Sequence, residues 1–328
     1  MNYELLNLLR KVSPEEQRIL DGDSTVQKSL YTSHQDFVIE SQKMLARGKL
    51  IDLRPHTRFV HFPTHRHDYI EMIYMCSGST LHLIGGKTSI KLETGDLLFL
   101  SQNVSQEIMP AGMEDIAVNF FVLPEFFDRT FSMMEEEHSL RDFLIGSLTQ
   151  KKSMVDYVHF QAKGILPIQN LIENMIWSLI HKQPNTRNIN QTTMSLLFLE
   201  LLNHSDEINK NDPQQYEQNL MFTALKYVED HYKTASLEEL SFLLNRPPYW
   251  VSKFIKRYSS QTFKQLVQKK RLSQATYLLT QTSIPVEDII AIVGYDNTSY
   301  FHRIFKAHYH MTPKTFRLEH ISSWRVCA

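Results

Sequence analysis

The sequence predicts an α+β protein: an antiparallel β-barrel with flanking helices, then an all-α domain of two helix-turn-helix units joined by a long helix. Three observations predict it. Between residues 51 and 123, short runs rich in β-branched and aromatic residues alternate with glycine turns. Beyond residue 123 the apolar pattern takes a helical period. In the last third, a helix, a tight turn and a basic helix occur twice.

Taken in order, residues 1–50 read as an amphipathic helical extension, with LLNLLRKV and QDFVIESQKML separated by DGDST. YIEMIYMCSG, STLHLIGG, TSIKLETG, DLLFLSQ and IAVNFFVL are the strands of residues 51–123, punctuated by Gly78, Gly85-Gly86 and Gly95. Residues 124–204 read as helical. In IQNLIENMIWSLI, Leu171, Met175 and Leu179 recur every fourth position, a stripe that suits either packing on the barrel or a dimer interface. The polar stretch 205–219 reads as a linker.

Residues 220–322 carry clear helix boundaries. Ser236 and Glu239 have the spacing of a capping box, and Pro247-Pro248 suits the first turn of PPYWVSKFIKRY. Thr262 precedes FKQLVQKKRLSQATYLLT, Gly294 stops SIPVEDIIAIVG, and Thr312-Pro313 opens a last helix. The central helix of roughly 18 residues spans about 27 Å. One turn of B-DNA is roughly 34 Å, so the basic helices 248–258 and 298–308 suit successive major grooves.

Charge divides the chain in the same place. From Leu220 onward 15 Lys+Arg face 8 Asp+Glu, whereas the preceding residues carry 20 against 28. A basic end on an acidic body points to a polyanionic partner for that end alone. Cys76 and Cys327 form no CxxC pair, which argues against a cysteine zinc site or a disulfide framework. The N-terminus lacks the pattern of a signal peptide and no run of 18 apolar residues occurs, so a cytoplasmic protein is expected.

RLSQATYLLTQTSIPVEDIIAIVGYDNTSYFHRIFKAHYHMTPKTFR closely resembles the C-terminal signature of AraC/XylS-type transcriptional regulators. The matching positions are Arg271-Leu272, Ala275, Leu278-Leu279, Ser283-Ile284, Val293-Gly294-Tyr295, Ser299-Tyr300-Phe301, Arg303, Phe305-Lys306, Thr312-Pro313 and Arg317. The first unit departs from the pattern: Asn245-Arg246-Pro247-Pro248 stands where a turn with Ser or Gly is usual, and Ser259-Ser260 where glycine is common. Position on the helices gives candidate contacts to double-stranded DNA. In the first unit Pro248, Tyr249, Ser252 and Lys253 face bases, with Lys256 and Arg257 on phosphate. In the second Asn297, Thr298, Ser299, His302 and Arg303 face bases, with Lys306 on phosphate. A solvated basic face is the plain alternative for each helix taken singly.

In HRHDYIE, residues His65, His67, Tyr69 and Glu71 share odd parity and on an extended strand would point to one face. The spacing HxH-x3-E-x6-G resembles the first cupin motif, and Gly95-Asp96 resembles the start of the second, which implies a cupin-like sensor barrel. In metal-binding cupins the second motif supplies another histidine, and counting onward places Gln106 there. Three readings stay open: a small-molecule pocket of His65, His67, Tyr69, Glu71, His82 and Gln106, with His61 nearby; a metal on His65, His67 and Glu71; or hydrogen-bonded structural residues.

The expected function is that of a DNA-binding transcriptional regulator, not an enzyme, controlled by a sugar or other metabolite and needing no cofactor. A homodimer is expected, with RNA polymerase a further candidate partner by family resemblance. The alternatives are a metal-dependent cupin oxygenase or isomerase fused to a DNA-binding domain, and a DNA-repair protein, which the setting of the two cysteines disfavours.

Overall fold

The computed structural model describes residues 1–127, 156–204 and 216–322. The described chain divides into two compact units, one up to Asn219 and the other from Leu220.

In the first unit, α1 (Tyr3–Arg10) and α2 (Pro14–Leu20) lead to β1 (Val38–Ile39) and the single turn α3 (Ser41–Met44). Asn2 caps α1, and Ser13 with Glu16 closes a capping box on α2. Only the end of QDFVIESQKML is helical, as α3; Val38 and Ile39 instead pair in parallel with Arg66 and His67. Two β-branched residues beside an open ladder outweigh a helical period in so short a segment.

Then follow β2 (Ile51–Pro55), β3 (Phe62–His67), β4 (Ile70–Ser77), β5 (Ser79–Ile84), β6 (Thr88–Glu93), β7 (Asp96–Leu100), β8 (Gln106–Ile108) and β9 (Ile116–Val122). A further strand, β10 (Tyr157–Gln161), falls where the sequence reads as helical. Its five residues pair antiparallel with Leu100 back to Asp96, and Tyr-Val-His-Phe suits a buried strand. Among the described residues there are two five-stranded sheets, ordered β1-β3-β8-β5-β6 and β10-β7-β4-β9-β2. Ile73, Met75, Leu98 and Leu100 of one pack with Ile84, Ile90 and Leu92 of the other, forming an apolar core between them.

Strands β4 and β9 are almost wholly buried, because the second sheet is covered on both faces. Its outer cover includes α4 (Leu166–Ile180) and α5 (Thr186–Asn203); Phe198 of α5 lies 5.6 Å from Phe99 of β7, ring to ring. The predicted helix over EFFDRTFSMMEEEHSLRDFLIGSL lies mostly outside the described residues.

The second unit holds α6 (Tyr216–His231), α7 (Leu237–Leu243), α8 (Pro248–Ser259), α9 (Phe263–Gln281), α10 (Val286–Ile292), α11 (Thr298–Tyr309) and α12 (Pro313–Ser322). Helix α6 begins inside the stretch read as linker, whose residues 205–215 lie outside the described set. The pair α7–α8 recurs as α10–α11, with one residue more in the second turn. Asn245 at φ 50° and Gly294 at φ 90° take the same left-handed place in the two turns. Ser260 and His310, both at φ 60°, do so after the two basic helices. The departures from the signature therefore keep its backbone: Asn tolerates the left-handed region, and Ser260 adopts it without glycine.

Thr262 and Gln265 close a capping box on α9. At α7 the box is only half made: Ser236 accepts from the Glu239 N–H, but the Glu239 carboxylate accepts from the Tyr227 hydroxyl instead. Arg271 donates to the carbonyls of Tyr232 and Lys233, and Arg317 to those of Leu279 and Ile284. Two signature arginines thus serve as staples between helix ends.

Candidate nucleic-acid interface and sensor chamber

Each basic helix buries one apolar face: Val251, Phe254 and Ile255 on α8, Phe301, Ile304 and Phe305 on α11. The opposite faces carry the predicted contacts. Pro248, Tyr249, Lys253, Lys256 and Arg257 are exposed and Ser252 is half-buried; Asn297, Thr298, Ser299, His302, Arg303 and Lys306 are all exposed. Apart from the half-buried Ser252, all of these side chains are open to solvent. Some are already posed: Lys253 lies 4.5 Å above the Tyr249 ring, and Arg303 5.4 Å from that of Tyr300. Asn297 spends its side-chain oxygen capping α11 through the Tyr300 N–H, so only its amide hydrogens remain for a base.

In the first unit, HRHDYIE is not one strand. His65 and His67 end β3, Tyr69 lies in the connection and Glu71 stands on β4. All four still reach the interior, each 3% exposed or less. Gln106 is fully buried on β8 directly across from His65, and His82 is fully buried on β5. His61 faces outward and meets Glu107 at 2.7 Å.

Two interior residues escaped the sequence reading. Asn119 sits mid-strand in the apolar run IAVNFFV, paired with Arg54 of β2, and His56 follows that strand. The Asn119 amide donates to Glu71 Oε1 at 2.9 Å, so its oxygen accepts from His56 Nδ1–H at 3.3 Å. A polar residue in a run of buried hydrophobes is the signal that marks Asn119.

Burial dominates the electrostatics. It pushes Glu71 up to about 8, partly opposed by the Asn119 hydrogen bond and by Arg54. It also pulls His56 and His65 down to about 4 and His67 and His82 well below their ordinary range. At neutral pH the chamber therefore holds a protonated carboxyl and four uncharged imidazoles. Arg54 at its edge is paired with Glu15 at 2.9 Å.

The free space lined by Tyr31, His56, Phe62, His65, Glu71 and Asn119 is about 30 Å³, room for a water molecule and not for a metabolite. Of the donors in the metal reading, His67 Nε2 and Glu71 Oε2 are 3.6 Å apart, while His65 turns its Nδ1 to the Pro63 carbonyl. Among the described residues no three His, Cys, Asp or Glu side chains converge as metal ligands. The same limit holds for a membrane: no described helix is long and apolar enough to cross one.

Residues 53–124 match the AraC-like ligand binding domain, and residues 243–319 match a helix-turn-helix domain. The regulatory protein PocR of Salmonella typhimurium is 30% identical over 120 residues, 33% of this chain and 40% of that protein. The xylose operon regulatory protein of Haemophilus influenzae is 28% identical over 143 residues, 43% of this chain and 35% of that protein. The chain thus spans less than half of either. The transcriptional activator RhaS of Mannheimia succiniciproducens is 24% identical over 284 residues, 84% of this chain and 99% of that protein. Residues 53–124 thus carry an AraC-like ligand-binding domain and residues 243–319 a helix-turn-helix domain, the pair of domains found in the AraC/XylS-type transcriptional regulators that this chain resembles.

Proposed function

We propose that this chain is a cytoplasmic, sequence-specific regulator of transcription whose two basic helices enter successive major grooves and whose barrel senses a small molecule. The observation that carries the reading is the repeat itself. Helices α8 and α11 start at residues 248 and 298, bury matching apolar faces and expose matching polar ones. A single basic helix is often only solvated, but two in register are hard to explain without a duplex. Lys253 and Arg303 occupy the same place on the two helices; Arg303 has the geometry to donate two hydrogen bonds to a guanine. Lys256, Arg257 and Lys306 lie a turn further on, toward phosphate.

The similarity to a xylose operon regulator supports a sugar or related metabolite as the effector. His65, His67, Tyr69, Glu71, His82 and Gln106, with His56 and Asn119, are the proposed recognition residues. A homodimer is supported by α5, where Ile189, Leu196 and Leu199, at heptad-like spacing, are left exposed. RNA polymerase is the natural further partner of an activating regulator. Among the described residues the metal-dependent enzyme reading has no assembled donor set to support it.

The test is duplex affinity across a salt series on fragments selected from random sequence. Each phosphate neutralised should contribute a slope of about −0.9 in log K against log salt. A flat dependence, or no duplex enriched over random sequence, would sink the proposal.

A further inference from the structure

We propose that the cleft between the twin helix-turn-helix units binds a planar aromatic anion, and that a filled cleft weakens the hold on the duplex. The site lies wholly within residues 235–300 and is separate from the barrel. Its effect on the duplex rests on the DNA-binding reading; the binding itself does not.

The cleft offers about 480 Å³ of free space, within the range of small-molecule sites, against about 30 Å³ in the barrel chamber. One wall is a stripe of α9, since Lys264, Val267, Gln268 and Arg271 follow i, i+3, i+4 and i+7. Its two cations stand two turns apart, roughly 10 Å along the helix axis. Leu237 at the start of α7, Tyr295 in the second turn and Tyr300 on α11 line the other sides. Both twin units therefore contribute. The floor is held in place, because Arg271 donates to the carbonyls of Tyr232 and Lys233 and the Gly294 turn packs against the Lys233 backbone.

The hydrogen bonds already made decide the sign of the charge. Arg271 spends its Nε–H and one Nη2–H on those carbonyls and keeps its Nη1 hydrogens. Among the described residues neither Arg271 nor Lys264 has a carboxylate partner. Asn297 accepts from the Tyr300 N–H and Ser236 from the Glu239 N–H, so each has a donor to spare. Asp296 is the single carboxylate on the lining, against two cations. Spare donors and an excess of positive charge favour an anionic acceptor. Phe263, Tyr295 and Tyr300 bring rings from two elements, and a planar ring among them gains offset-stacked or edge contacts that an aliphatic acid lacks.

Asn297 ties the cleft to the duplex. It lines the cleft and is also among the proposed base-facing residues of α11. An anion seated there brings bulk and negative charge beside the phosphates, which lowers duplex affinity.

The test is calorimetry on the full chain, first without DNA. The probes are indole-3-acetate, 4-hydroxyphenylacetate and AMP, each beside its uncharged counterpart: indole-3-acetamide, 4-hydroxyphenylacetamide and adenosine. At least one anion should bind about tenfold tighter than its counterpart, and the carboxylate and phosphate arms show which anionic group the site takes. Lys264 is exposed, so its replacement leaves the fold undisturbed. Lys264→Ala should weaken the anion about fivefold and Lys264→Glu should abolish its binding. Gln268→Trp, which fills the cleft from α9, should abolish it as well, with the melting temperature recording that the variant folds. Glu71→Gln, in the barrel, should leave it unchanged. A duplex selected by the chain should then bind more weakly with the anion present, and the anion more weakly, by the same factor, with the duplex present. No binding by any anion, equal binding of anion and counterpart, or binding lost in Glu71→Gln but kept in Lys264→Glu would overturn the site. An anion that binds without changing duplex affinity would overturn the coupling. Loss of duplex affinity in Lys264→Ala with no anion bound would give the cleft to the operator's phosphates instead. None of these results removes a salt-dependent duplex affinity, so the two readings fail separately.

Discussion

Arg58 is 2% exposed, and its guanidinium meets Glu16 at 2.7 Å and donates to the carbonyls of Arg10, Lys11 and Met113. It ties both N-terminal helices to the barrel. Burial alone would raise the Glu16 carboxyl, but the hydrogen bond and charge of Arg58 overcome it and hold the group below its ordinary value. Removing one partner strands the other, so Arg58→Ala should cost about 3–5 kcal/mol in urea unfolding. The sign with pH follows from the lowered carboxyl. Its stabilisation is complete above the unfolded value near 4.3 and is lost as pH falls through the folded one, so Glu16→Gln should flatten the acid side of the stability profile. On the other unit, Arg303→Ala should cost about 1–3 kcal/mol of affinity and relax preference at one base pair in a sequence-selection assay. The sequence made Arg303 legible because a signature fixes its place on a helix. It hid His56, whose hydrogen-bond partner Asn119 lies on a distant strand and could not be paired with it before the sheets were assembled.

The turns within the twin units show what an element demands of its residues. A Cβ on Gly294 would stand 2.6 Å from the Lys233 carbonyl oxygen, in a backbone conformation that side chains rarely adopt. Gly294→Ala should therefore destabilise the chain by about 2–3 kcal/mol and weaken duplex binding with it, as thermal unfolding and a binding titration would report. Ser260 holds the left-handed place after α8 at a cost that glycine avoids, so Ser260→Gly should raise stability by about 1 kcal/mol. Helix boundaries marked by Pro248, Thr262, Gly294 and Pro313 were readable, because caps and stops are local chemistry. QDFVIESQKML and β10 were not, because each is fixed by a ladder with strands far along the chain.

At the scale of the molecule, the basic end and the acidic body divide the work that the two units are proposed to do. On phosphate, as proposed, Lys256, Arg257 and Lys306 should together contribute a salt slope of about −2.7, and each alanine substitution should remove about 0.9 of it. Sedimentation should find Leu196→Asp more dissociated than the parent if α5 is the dimer seam; an unchanged mass would place the seam elsewhere. Barrel and twin units were both legible as wholes, since periodicity and repetition survive without knowledge of the contacts. The contents of the chamber were legible only in part: parity along HRHDYIE pointed inward, but the motif turns a corner between β3 and β4. The late position of β10 has a practical consequence. A fragment ending at residue 124, where the ligand-binding match stops, would lack the strand that pairs with β7. Five buried residues, Asp96–Leu100, would then present an unpaired edge to water. Such an edge recruits strands from neighbouring molecules, so that fragment should aggregate where one carried through residue 204 stays dispersed.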